Sequence, residues 1–157
     1  MEDEQFVIFD LGCEQYGVEI SQVREIIRAK DMTRIPNAPD YVEGVIDLRG
    51  QVTTIINLGR RLGFMGEGKE KGEKEGKRII VVEYEGTPVG MLVDNVRDVK
   101  RLSSDAMEEL PLMISKNLKG EFLRSVGKIG EKLILIVDLN KILSNCERSS
   151  EVLKNKK

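Results

Sequence analysis

The 157-residue chain has no histidine, no tryptophan, two cysteines, four prolines and only 4% aromatic residues. Without histidine it lacks the side chain that most often serves as general base, proton shuttle and metal ligand. Catalysis would fall to carboxylates, lysine or cysteine alone. Cys13 and Cys146 have no partner at CxxC spacing, which suits reduced thiols placed in a core or a turn. Few aromatics means few stacking platforms for single-stranded nucleic acid, and 25 basic against 27 acidic residues gives a net charge of −2 with no basic excess to meet phosphates. No apolar run approaches the roughly 18–20 residues that span a bilayer. The N-terminus, MEDEQ, is acidic rather than a basic leader. These features lead us to expect a cytoplasmic protein that needs no cofactor or metal, binds no nucleic acid and makes no direct membrane insertion.

What the chain does have is a repeat. Phe6–Gly17 (FVIFDLGCEQYG) matches Ile79–Gly90 (IIVVEYEGTPVG) at a shift of 73 positions, and the match continues through Ile26 against Val99. Farther on, Tyr41–Leu62 aligns without a gap on Phe122–Leu143 at a shift of 81, so the second copy carries eight additional residues near 102–118. A unit of about 60 residues is marginal alone. The two copies should therefore share apolar surface as one rigid body with two lobes, one over about 5–65 and the other over about 78–147, forming a single domain over 5–147 with a polar tail at 148–157.

Phe6–Leu11, Val52–Leu58, Arg78–Tyr84, Val89–Val93 and Lys132–Val137 are short, rich in Ile and Val, and bounded by Gly or charge, which predicts strands. Ile79–Val82 and Leu133–Val137 do not alternate, so each should have one face in its own lobe and the other against the partner lobe or a helix. About five such strands per copy, separated by tight Gly turns, predict a mainly β protein of small closed barrels with short helices. Val23, Ile26 and Ile27 follow Ser21 at i, i+3 and i+4 spacing, predicting a helical turn over 21–27. Ser103–Asp105 is placed to cap a turn through Met107, and Asp138 or Asn140 to cap a helix over 141–146. Residues 66–77 consist of Gly, Glu and Lys alone, a flexible linker with nothing to bury.

The informative stretch is Asn37–Gly50, NAPDYVEGVIDLRG: a proline turn, a strand, then Arg49-Gly50 at a hairpin tip. The second copy keeps the hairpin but has Gly130-Glu131 in place of Arg-Gly. Arg49 either pairs locally, with Asp47 or over the turn, or presents a bidentate guanidinium to a partner. Gly44 is either part of a site or a strand position approached by another backbone.

NAPDYVEGVIDLRGQV, followed by an apolar strand, Asn57-Leu58 and Arg60-Arg61-Leu62-Gly63, resembles the signature of the CheW family, and Val89–Val99 resembles its Gly-hydrophobic-Val-Asp-x-Val segment. The resemblance covers about 5–145. One departure is Thr54, where the family usually has proline. The resemblance implies two packed SH3-like five-stranded β-barrels. It also implies a non-catalytic chemotaxis adaptor that couples methyl-accepting chemoreceptors to the histidine kinase CheA in signalling arrays. The implied partners are the regulatory domain of CheA, the cytoplasmic tip of the receptors, and other CheW copies. Carried onto this chain, the receptor tip would bind an apolar groove between the lobes lined by Val7, Ile20, Val23, Ile26 and Val99, with Glu25, Gly44 and Arg49 at its edge. Three other readings compete: a small nucleic-acid-binding barrel, an enzyme built on Glu43 and Asp47, and a CheW-like module of a larger signalling protein.

Overall fold

A computed structural model describes residues 4–62, 77–109 and 122–144. Among these residues eleven strands carry the fold: β1 (Glu4–Leu11), β2 (Glu14–Glu19), β3 (Val23–Arg28), β4 (Val42–Leu48), β5 (Gln51–Asn57), β6 (Arg78–Tyr84), β7 (Thr87–Val93), β8 (Asn95–Leu102), β9 (Met107–Glu108), β10 (Leu123–Ile129) and β11 (Lys132–Val137). Helix is brief: α1 (Leu58–Arg61), 3-10 turns at Ile20–Gln22 and Ser104–Ala106, and helical residues 139–144. The side chain of Asn57 caps α1 by accepting from the Arg60 amide, and Asp138 does the same for the Lys141 amide. Among the described residues no helix is long and apolar enough to cross a membrane.

The segment after Ser21 is a strand where a helical turn was expected. A bulge at Arg24 shifts the register, so that Val23 faces Val82 and Ile26 faces Ile80. Residues three apart thus share one sheet face, which imitates helical spacing. The expected linker, apart from Lys77, and the tail lie outside the described residues, as does Cys146.

The strands form two sheets, ordered β8-β1-β2-β11-β10-β9 and β3-β6-β7-β5-β4. Each curls into an SH3-like barrel. In the first, the chain leaving β8 returns as β9 to pair with β10; in the second, the chain leaving β3 returns so that Thr33 and Val45 exchange two backbone hydrogen bonds of 3.0 and 2.9 Å. These barrels differ from the sequential lobes, 5–65 and 78–147, that the repeat suggests. Each barrel takes its first hairpin from the other copy: β1–β2 sits between β8 and β11, and β6–β7 sits between β3 and β5.

Short connections impose this exchange. If β1–β2 took the equivalent place in its own copy, β2 would run parallel to β3, and the chain would have to cross back along a whole strand, about 20 Å. The three residues Ile20–Gln22 reach only about 11 Å. On the other side, Asp94 alone separates β7 from β8.

Among the described residues three apolar clusters result. Phe6, Ile8, Leu102, Ile134 and Ile136 fill the first barrel, and Ile46, Ile55, Ile79, Val81 and Leu92 fill the second. A larger seam between the barrels holds Val7, Phe9, Tyr16, Val18, Ile80, Val82, Met91 and Val137, with Leu58 and Leu62 of the first helical end and Leu139, Ile142 and Leu143 of the second. The non-alternating strand Ile79–Val82 divides its residues as its pattern predicts, with Ile79 and Val81 in a barrel and Ile80 and Val82 in the seam.

Candidate functional site

Both sheets end in a strand whose apolar side chains share the seam face. Ile26 of β3 lies opposite Ile80, and Val99 of β8 lies opposite Val7; Ile80 and Val7 are both buried in the seam core. At their edge positions Ile26 and Val99 stay 37% and 40% exposed, and Ile20, in the turn leading into β3, is 37% exposed. Val23 is half-buried and packs against the seam. The helical ends cover the seam beside β5 and β11. Arg61 of α1 stacks there between Tyr41 and Phe122, at 4.9 and 4.6 Å from the ring centroids, and donates to the Ile142 carbonyl at 3.4 Å. β3 and β8 stand away from these helical ends in their sheets, as a partly exposed apolar margin.

Next to that margin lies a charged clamp. The β4–β5 turn places both Arg49 (φ 54) and Gly50 (φ 82) in the left-handed region, a strained conformation for arginine. From this tip the guanidinium reaches across to Glu25 on β3. Nη2 donates to Oε1 at 2.7 Å and Nη1 donates to Oε2, a bidentate pair. The hydrogen bond from Arg49 holds the Glu25 carboxyl below its ordinary value. Arg49 remains 71% exposed at its side chain, so the clamp is open to solvent. Of the two readings of Arg49 drawn from sequence, local pairing is realised, with Glu25 and not Asp47 as the partner.

Two expected groove residues are placed elsewhere. Val7 is 1% exposed and belongs to the seam core, below any surface groove, because β1 is flanked by strands on both sides. Gly44 is buried with φ 151, and a Cβ added there would meet the Thr33 carbonyl oxygen at 2.5 Å. Its role is the close backbone approach that joins Thr33 to β4. Residue-by-residue carry-over missed Val96, which lies opposite Phe9 on the seam face and packs against the seam core. The repeat contained the signal, since Val96 aligns with Val23 at the shift of 73, as Val99 does with Ile26.

Among the alternatives, Glu43 and Asp47 make a poor catalytic pair. The Glu43 carboxylate accepts from Asn57 Nδ2 at 2.8 Å, while Asp47 is exposed on the hairpin opposite Val52.

Two SH3-like barrels with exchanged hairpins and an apolar margin between them define a β-sheet interaction module. Residues 5–147 match the family model for the CheW-like domain. The chain is 37% identical over 144 residues to the chemotaxis protein CheW of Klebsiella aerogenes, covering 92% of this chain and 84% of that one. It is 32% identical over 147 residues to CheW of Treponema pallidum, covering 92% and 86%. The crystal structure of the scaffolding protein TtCheW from Thermoanaerobacter tengcongensis is similar with a TM-score of 0.76 at 32% identity, covering 88% of this chain and 86% of that one. The chain belongs to the CheW family of chemotaxis adaptor proteins.

Proposed function

We propose that this protein is a non-catalytic cytoplasmic adaptor that couples the helical tip of methyl-accepting chemoreceptors to the histidine kinase CheA. The observation that carries this is the partly exposed apolar margin formed by Ile20, Val23, Ile26 and Val99 beside the Glu25–Arg49 clamp. An amphipathic helix laid along the margin buries apolar surface, while the clamp offers a carboxylate and a guanidinium to fix its register. Val7 and Gly44 serve the groove indirectly, one as its floor and the other by anchoring the Thr33 segment to the β4–β5 hairpin.

The kinase takes the outer ends of the barrels. Val52 and Leu133 are 70% and 58% exposed, and they occupy equivalent positions in the two copies, at the starts of β5 and β11. A protein with equivalent apolar anchors on its two hairpins is suited to link successive partners, CheA or further copies of the adaptor, within an array. Reconstitution with receptor-containing membranes and CheA tests this function. The expected result is kinase activity that becomes receptor-dependent only when this protein is added; activity unaffected by its presence would contradict the proposal.

A further inference from the structure

The hairpin exchange leaves each sequence copy unable to complete a barrel. In the β1–β2 hairpin, the outer edge of β1 pairs with β8 and that of β2 with β11, both from the second copy. In the β6–β7 hairpin, β6 pairs with β3 and β7 with β5, both from the first. A copy on its own would keep two separate hairpins with bare edges, and isolated hairpins are marginal in water. It cannot refold onto itself, because Ile20–Gln22 and Asp94 are too short for the parallel crossover its own barrel would need.

Polar contacts follow the same division. Arg97 on β8 donates to Asp10 on β1 at 2.8 Å, and at the equivalent position of the repeat Arg24 on β3 lies 3.9 Å from Glu83 on β6. Both arginines sit at bulges, where the register shift leaves them without a cross-strand mate. Arg124 on β10 donates to Glu4 on β1 and to Glu19 on β2. Arg61 of the first copy stacks on Phe122 of the second.

We propose that the two copies, the first ending near Leu62 and the second starting near Lys77, are obligate mutual binding partners. Each supplies the hairpin that completes the other's barrel, and the pair persists as a one-to-one non-covalent complex when the chain between them is cut. Among the described residues, the pairings that seat each exchanged hairpin in its barrel run between the two copies, and the covalent link adds effective concentration.

A protease site placed within residues 66–76 of the full chain tests this. After complete cleavage, native mass spectrometry is expected to find both fragments in one complex, with the far-ultraviolet circular dichroism of the uncut protein. Its thermal midpoint should fall on dilution, because folding has become bimolecular. Fragments that separate while each keeps a native-like β spectrum would overturn the proposal, as would fragments that separate and unfold at micromolar concentration. Charge reversal adds a second readout that needs no receptor. Asp10→Arg and Arg97→Asp should each raise the dissociation constant of the cut pair several-fold, and the double reversal should restore it. Single and double variants that dissociate alike would contradict the interlock.

Discussion

Arg49, held in the left-handed region at the tip of the β4–β5 hairpin, grips both carboxylate oxygens of Glu25 on β3. The pair spans the two elements of the first copy that flank the proposed receptor groove. A non-glycine residue in this backbone region carries strain that the surrounding structure must hold, which fits a side chain retained for its position. The second copy has glycine at the equivalent place, Gly130 at φ 63, and no arginine to make such a clamp.

Replacing Arg49 should therefore separate coupling from stability. Arg49→Gly removes both the guanidinium and the backbone strain. We expect a thermal midpoint equal to or slightly above the wild type, together with a marked loss of receptor-dependent CheA activation. A variant that couples as well as the wild type would remove the clamp from the site.

The clamp also has a pH signature. Its hydrogen bond from Arg49 lowers the Glu25 carboxyl below 4.5 in the folded protein. A depressed carboxyl contributes stability above its unfolded value, and the contribution is lost as pH falls through the folded value. The clamp should thus be intact at neutral pH and fade in acid below about 4.5. Carboxyl-carbon NMR titration checks this: in Arg49→Ala the Glu25 midpoint should move up toward the ordinary value. An unchanged midpoint would show that the pair does not form in solution.

Gly44→Ala should act on the fold, and on recognition only through it. The added Cβ would lie 2.5 Å from the Thr33 carbonyl oxygen on a backbone at φ 151. The Thr33–Val45 bridge must open or the hairpin must shift, at a cost of about 2–4 kcal/mol. Chemical denaturation should show the loss, and hydrogen exchange should show faster exchange at the Thr33 and Val45 amides. A variant as stable as the wild type would leave Gly44 available for a direct contact role.

Arg61→Ala should loosen the joint between the copies. The guanidinium stacks between Tyr41 and Phe122, and its loss should lower stability by about 1–2 kcal/mol. Arg61→Lys should recover only part of this, since an ammonium lacks the planar face that stacks on two rings. Equal stability of the alanine and lysine variants with the wild type would contradict this role.

How far the fold was legible in the sequence depends on what each pattern encodes. The runs Arg78–Tyr84 and Lys132–Val137 are strands with the expected limits, because β-branched residues bounded by Gly and charge leave little choice. The repeat located equivalent residues correctly, yet it could not say which copy supplies a neighbouring strand, since Ile8 and Val81 satisfy the same pattern. That information resides in connection lengths, in the three residues before Val23 and the single Asp94, and these exclude the sequential arrangement. Val23 and Ile26 mimicked a helical face because the bulge at Arg24 puts residues three apart on one side of the sheet, while Ile27 turns into the second barrel. At the site, Glu25 and Arg49 were both singled out from sequence, but their contact was not, because it joins residues 24 positions apart across a turn whose geometry the sequence leaves open.

Docking of the receptor tip on the β3 and β8 margin is open to methyl NMR of the Ile- and Val-labelled protein during titration with a receptor-tip fragment. The methyls of Ile20, Val23, Ile26, Val96 and Val99 are expected to shift or broaden, while Val52, on the face of the β4–β5 hairpin assigned to the kinase, stays in place. Perturbation centred on Val52 with the seam-margin methyls unmoved would contradict it.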